Sequence, residues 1–197
     1  MTSSAPLVLA SASPRRADIL ATLGISFETR KSGVDEQAFG APDHTAFVRA
    51  VASAKLERVL ATLNGDDRFV LAADTMVCVD DLRLGQPTND AEAHRMLSRL
   101  SGRDHVVKTA VALGRGHETL ACQVVSTTVS FRAATEEELR RYVATGEGRD
   151  KAGSYAIQGL GSGFVERIDG SYTNVVGLPA AEVVGLLVRH GALVRWP

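Results

Sequence analysis

Several kinds of sequence feature are missing, and each absence removes a class of function. No stretch approaches the ~18 consecutive apolar residues of a membrane-spanning helix. The early run Leu7-Val8-Leu9-Ala10 is too short for the apolar heart of a secretory signal, and no Lys or Arg precedes Arg15. The expectation is a cytoplasmic protein with no membrane partner. A surplus of charge is lacking too: 22 Lys plus Arg against 23 Asp plus Glu leave a formal net charge of −1. Coating nucleic acid calls for a basic excess, so no nucleic-acid partner is expected. Cysteine is scarce. Cys78 and Cys122 form no Cys-x-x-Cys and sit in apolar text, which points to buried reduced thiols rather than a zinc or redox motif. The five histidines do not pair at metal-ligand spacing, and His105, at the head of a strand, reads as structural. Neither a Gly-x-Ser-x-Gly elbow nor a Walker A loop is present.

What remains is the composition of an ordinary folded domain. The 197 residues are 45% hydrophobic and 23% charged, enough for one domain, with or without two lobes, to bury a core unaided. Residues 7–10 read as a short buried strand. It runs into Ser13-Pro14, a helix cap followed by a favoured first residue; Ile19, Leu20 and Leu23 repeat at helical spacing, and Gly24 stops the helix. A second strand is expected at 25–29. A turn at 41–44 precedes a helix at 45–63. A strongly apolar strand at 69–79 is interrupted by Asp74-Thr75, and a further helix spans 90–100. Strands at 105–113 and 119–131 form a hairpin around 114–117. Thr135 and Glu138 have the spacing of a capping box for a helix through Tyr142. Beyond a glycine-rich loop region at 145–163 come short strands at 164–168 and 173–176 and a closing helix at 180–189. The mixture is α/β with an antiparallel component.

Four segments stand out chemically. Ser13-Pro14-Arg15-Arg16 places two arginines in the first turn of a helix, where the dipole opposes them; an anion bound at the free N–H groups would account for both. Lys55 lies on the apolar stripe Val48, Val51, Lys55, Val59, so its ammonium must either snorkel to water or meet an anion. Asp74 breaks a buried strand, and could hold a metal, act as a base or cap a turn; Glu36 is the obvious second carboxylate to share a divalent ion. The segment from Asp150 to Gly161 combines glycines for close approach with Gln158, an amide able to read a base edge.

Taken together these segments resemble the Maf family of nucleoside triphosphate pyrophosphatases. The matching text is Leu9-Ala10-Ser11-Ala12-Ser13-Pro14-Arg15-Arg16, Ala73-Asp74-Thr75, Ser101-Gly102 with His105, Asp150-Lys151-Ala152-Gly153, Ile157-Gln158-Gly159 and Asn174-Val175-Val176-Gly177-Leu178-Pro179. The resemblance covers residues 7–179 and implies a single Maf-like domain over 1–197. Its implied fold is inosine-triphosphatase-like: an elongated, mixed, twisted sheet flanked by helices, in two lobes with a central cleft. It implies hydrolysis of a nucleoside triphosphate to monophosphate and pyrophosphate with Mg2+ or Mn2+. In that family's pattern Asp74 is the proton acceptor, and Arg15, Thr75 and Gln158 are the specificity positions. The Asp150 and Ile157 segments are similar to the branch acting on dTTP and UTP. The alternatives are the 7-methyl-GTP branch and a non-catalytic, nucleotide-binding regulator of septum formation.

On this reading Asp74 and Glu36 hold the metal. Lys55, Arg15 and Arg16 offset charge on the departing pyrophosphate, and Ser13 meets a phosphate oxygen. One departure is visible: the family commonly carries a lysine before the proline of the loop after the Asp-Thr strand, whereas this chain has Gly85-Gln86-Pro87. Gln86 is therefore expected at the substrate as a neutral replacement. A homodimer is compatible with the resemblance.

Overall fold

The computed structural model describes residues 6–41 and 43–197; Pro42, part of the turn expected at 41–44, lies outside the described residues. In chain order the elements are β1 (Leu7–Leu9), α1 (Pro14–Thr22), β2 (Phe27–Thr29), α2 (His44–Thr62), β3 (Phe69–Val79), β4 (Leu82–Leu84), α3 (Asp90–Leu100), β5 (Asp104–Arg115), β6 (Glu118–Phe131), α4 (Glu136–Ala144), β7 (Val165–Asp169), α5 (Tyr172–Val176) and α6 (Ala180–Arg189). Short 3-10 turns occur at Glu36–Ala38, Ala152–Ser154 and Leu160–Phe164. The seven strands form a mixed sheet of order β2-β1-β3-β5-β6-β7, with β4 beside β3. β1 pairs in parallel with β2 and β3, whereas β4 is antiparallel to β3 and β7 antiparallel to β6. Gly116-His117 alone connects β5 to β6, too short a link for parallel neighbours. The α/β expectation with an antiparallel component therefore holds.

The chain divides into two compact units. The first takes in the described residues through Asp74, Thr109–Val125 and Gly177–Pro197. Its core joins Leu7 and Leu9 of β1, Leu20 of α1, Leu71 and Ala73 of β3, Val111 and Leu113 of β5, and Val183, Leu186 and Leu187 of α6. Each leucine fully withdrawn from water contributes about 1.5–3 kcal/mol. Because side chains alternate along a strand, Val70, Ala72 and Asp74 face the opposite side from Leu71 and Ala73. That opposite side is where α2 lies. A Cβ on Gly114 would sit 2.9 Å from Leu60 and 3.2 Å from Leu56, so the missing side chain lets α2 approach β5 closely. The first turn of α2 is closed by Asp43, whose carboxylate accepts the Ala46 N–H at 2.8 Å.

The second unit comprises Thr75–Lys108 and Ser126–Val176. The capping box of α4 is formed, with Thr135 and Glu138 bonded reciprocally. His105 is 2% exposed, and its Nε2 lies 2.8 Å from Tyr155 Oη with Phe131 packed edge-on. Cys78 is buried and Cys122 only half-buried; both are free thiols, the latter receiving the Ser53 hydroxyl at 3.8 Å. The strand expected at 173–176 is instead helix α5. Its β-branched residues favour a strand, but Ser171 Oγ takes the Asn174 N–H at 3.2 Å, starting a helical turn. The buried Asn174 amide then donates to Val107 O and Thr127 Oγ1, both at 3.0 Å. Tertiary hydrogen bonds decide the conformation against local propensity.

Candidate active site

β3 brings an acid into a buried layer and α2 brings a cation to meet it. Val48, Val51 and Val59 are buried as their spacing requires, and Lys55 is buried with them at 7% exposure. Its ammonium does not snorkel to water. It donates to Asp74 Oδ1 at 2.7 Å and lies 2.6 Å from Glu36 Oε1, on the 3-10 turn after β2. Asp74 is 4% exposed, whereas the Glu36 side chain is about half exposed. Two carboxylates thus converge on one ammonium. Burial pushes the Asp74 carboxyl above its ordinary range, and the Glu36 charge adds to that; Lys55 and Arg16 pull it back. The result is an ionisable acid more basic than a surface aspartate.

Arg16 is not left in solvent at the start of α1. It is buried, its Nε donating to Gly177 O at 2.8 Å and its Nη1 to Ser11 Oγ at 3.2 Å. Ser11 Oγ also accepts the Ser13 N–H at 3.1 Å. Ser13 occupies the cap position of α1, but its hydroxyl makes no capping hydrogen bond. Arg15 precedes Arg16 in the same turn and is half-buried. The positive field of Arg16 reaches both Asp74 and Glu36.

The remaining expected residues belong to the second unit. Thr75 follows Asp74 in β3 and is half-buried. Gln86 donates from Nε2 to Asp150 O at 3.1 Å, and nearby the Gly153 N–H donates to Gly85 O at 3.1 Å. The Gln86 amide therefore fastens its loop to the segment at 150–153. Gln158 is exposed at the tip of its loop.

The structure thus brings Glu36, Lys55, Asp74 and Arg16 into one cluster. Ser11 and the Gly177 carbonyl, which hold Arg16, were not marked as site residues by the sequence reading. Nor were Tyr142 and Glu147, which hold the Gln158 loop; an acid flanked by Gly146 and Gly148 was the available signal.

Among the described residues no three His, Cys, Asp or Glu side chains gather in a metal-binding group. The donor chemistry nevertheless suits a hard divalent cation. Glu36 and Asp74 each give one oxygen to Lys55 and carry a second, and Mg2+ is commonly held by one or two carboxylates together with substrate phosphates and water.

Comparison with known proteins finds relatives over nearly the whole chain. Residues 6–190 match the family model described as Maf-like protein. The chain is 46% identical over 189 residues to a protein of Desulfotalea psychrophila named dTTP/UTP pyrophosphatase, covering 95% of this chain and 96% of that one. It is 47% identical over 191 residues to a Myxococcus xanthus protein of the same name, covering 96% and 95%. Among solved structures, a HAM1 protein from Coxiella burnetii shares the fold at a TM-score of 0.51 and 13% identity, over 94% of this chain and 100% of that one. Among the described residues no helix is long and apolar enough to cross a membrane.

Proposed function

The chain belongs to the family of Maf-like proteins, and on that premise we propose that it hydrolyses dTTP and UTP to the nucleoside monophosphate and pyrophosphate. Modified pyrimidine triphosphates are included in the substrate class, and the cytoplasm is the compartment. Two relatives at 46% and 47% identity named dTTP/UTP pyrophosphatase support the substrate. The single observation that carries the chemistry is the buried Asp74 carboxylate clamped with Glu36 on the Lys55 ammonium.

The reaction joins one water to the α-phosphorus and breaks that phosphorus's bond to the oxygen bridging the α and β groups. A water proton passes to a base. Asp74 is that base: its carboxyl is more basic than a surface aspartate, and Lys55 and Arg16 oppose its neutralisation by burial. Lys55 orients the carboxylate by occupying Oδ1 and joins Arg15 and Arg16 in offsetting the charge that grows on pyrophosphate. Ser13 and the first N–H groups of α1 receive a phosphate oxygen. A Mg2+ or Mn2+ ion held by Asp74 and Glu36 together with the phosphates would supply charge neutralisation and a more acidic water. Gln158 reads the pyrimidine, with Thr75 as a further specificity residue and Gln86 holding its loop. A homodimer is the assembly compatible with this reading, and the derived chemistry does not require it.

The test is a panel of dTTP, UTP, CTP, dGTP and 7-methyl-GTP with Mg2+ or Mn2+, before and after chelation, with both products identified. Release of pyrophosphate and monophosphate from dTTP and UTP, lost on chelation and restored by the metal, is expected. Preference for 7-methyl-GTP would overturn the base assignment. Binding of dTTP without pyrophosphate release would instead favour a regulator.

A further inference from the structure

Gln158 is exposed, yet the backbone on both sides of it is tied down. The Ala156 N–H donates to Tyr142 Oη at 3.0 Å, the Leu160 N–H to Glu147 Oε1 at 2.9 Å and the Gly161 N–H to Glu147 Oε2 at 3.0 Å. Tyr142 Oη in turn donates to Glu147 Oε2 at 2.8 Å, so one hydroxyl and one carboxylate make a single hub. The neighbouring glycines are shaped to it. A Cβ on Gly159 would fall 2.0 Å from Glu147 Oε1, and one on Gly161 would fall 2.9 Å from Tyr142 Oη. Glu147 is itself held, its carbonyl accepting Lys151 Nζ at 2.8 Å and its N–H donating to Thr145 Oγ1 at 3.2 Å. Upstream, Gly153 and Ser154 both have left-handed backbones, at φ 70° and 60°, a conformation a serine keeps only under constraint. Burial pushes the Glu147 carboxyl up, but the Gly161 and Leu160 N–H groups, the Tyr142 hydroxyl and the nearby Lys151 charge outweigh it and hold it below the usual carboxylate range.

We propose that Glu147, acting with Tyr142, is a positioning residue for Gln158: the hub fixes residues 156–161 so that the Gln158 amide meets the pyrimidine edge in one orientation. The proposal rests on Gln158 being the base-reading residue of the pyrophosphatase reaction proposed above. An amide has donors on one side and an acceptor on the other, so it discriminates between bases only if its orientation is set. A loop free to rock would present both ends. Because Glu147 acts through the loop, its loss should alter selection among bases more than turnover.

Wild type, E147Q, Q158A and E147Q/Q158A, assayed for kcat and KM with UTP and CTP by pyrophosphate release, form the test. Glutamine keeps the side-chain length but turns one acceptor into a donor facing the hub's own donors. The preference for UTP over CTP in kcat/KM should fall about 10-fold in E147Q, through a higher KM for UTP, with kcat within about threefold of wild type. In the Q158A background the same change should move the preference by no more than about twofold, because the residue it acts through is gone. An equal loss in both backgrounds, or no loss in the first, overturns the proposal. Unchanged preference in Q158A overturns the base-reading assignment and the proposal with it. Wild type that releases no pyrophosphate sinks the enzyme reading alone, and the cycle is then read from UTP and CTP binding by calorimetry. If E147Q does not fold, amide hydrogen exchange of the wild type decides. Leu160 is 65% exposed, so protection of its N–H supports the bond to Glu147, and exchange at an unprotected rate overturns it.

Discussion

Replacing Lys55 by methionine removes the ammonium and keeps most of the stem that packs among Val48, Val51 and Val59. The loss is worked from what stays behind. Asp74, 4% exposed, keeps its place in β3 without the donor at 2.7 Å, and Glu36 loses its partner at 2.6 Å. Breaking a buried pair by removing one member costs about 3–5 kcal/mol. Glu36 is about half exposed and adds little, because water screens it. At this chain length each kcal/mol moves the melting temperature about 2–4 °C, so K55M should melt roughly 6–20 °C lower at pH 7.

The pH dependence has a definite sign. The Asp74 carboxyl is raised above its ordinary 3.8 chiefly by burial, and Lys55 limits the rise. A raised folded value means that the folded state holds the proton more tightly. The stability linked to it is fully present below about 3.8 and declines as pH climbs through the folded value. Without Lys55 that value climbs further, so the deficit of K55M should be smallest in acid and reach its full size by neutrality. Urea melts followed by circular dichroism between pH 4 and 7 measure it. Neutralising the stranded acid in K55M/D74N should recover most of the loss. A deficit that is the same at every pH, or a double variant no more stable than K55M, would refute the ion pair as the reason for Lys55.

Other outcomes follow from the same geometry. D74N should lower turnover by at least about 10²-fold while the urea melt stays cooperative, because the proposed base is removed and the fold is not. R16M should cost roughly 1.5–3 kcal/mol in urea melts, since a charged donor to Gly177 O and Ser11 Oγ is lost, and R16K should recover little because an ammonium lacks the guanidinium's fork. Burial pushes His105 down to about 4, so its neutral form contributes stability that is present above the unfolded value near 6.5 and lost as pH falls towards 4. H105Q should flatten that part of the wild-type stability profile, a change of about 3 kcal/mol. Q86K should lower the KM for dTTP about two- to fivefold by adding a mobile cation, and a large rise in KM would mean that the Gln86 bond to Asp150 O is what the loop requires.

By itself the sequence determined the elements whose signals are local. The stripe around Lys55, the Asp74 break in an apolar strand, the Thr135 capping box and the Pro14 helix start were all legible, because the spacing of neighbours along the chain decides which side chains share a face. Only the tertiary structure decided which faces meet. Glu36 sits in a turn whose position no periodicity encodes, and it reaches Lys55 only once α2 has packed on the sheet. Arg16 read as a first-turn arginine placed for an anion, and only the fold shows that it is also a buried tie to Gly177, 161 positions away. Residues 173–176 looked like a strand until Asn174 found Val107 and Thr127. In each case a buried polar group had to find its partner, and the partner was supplied by a distant segment rather than by the residues alongside.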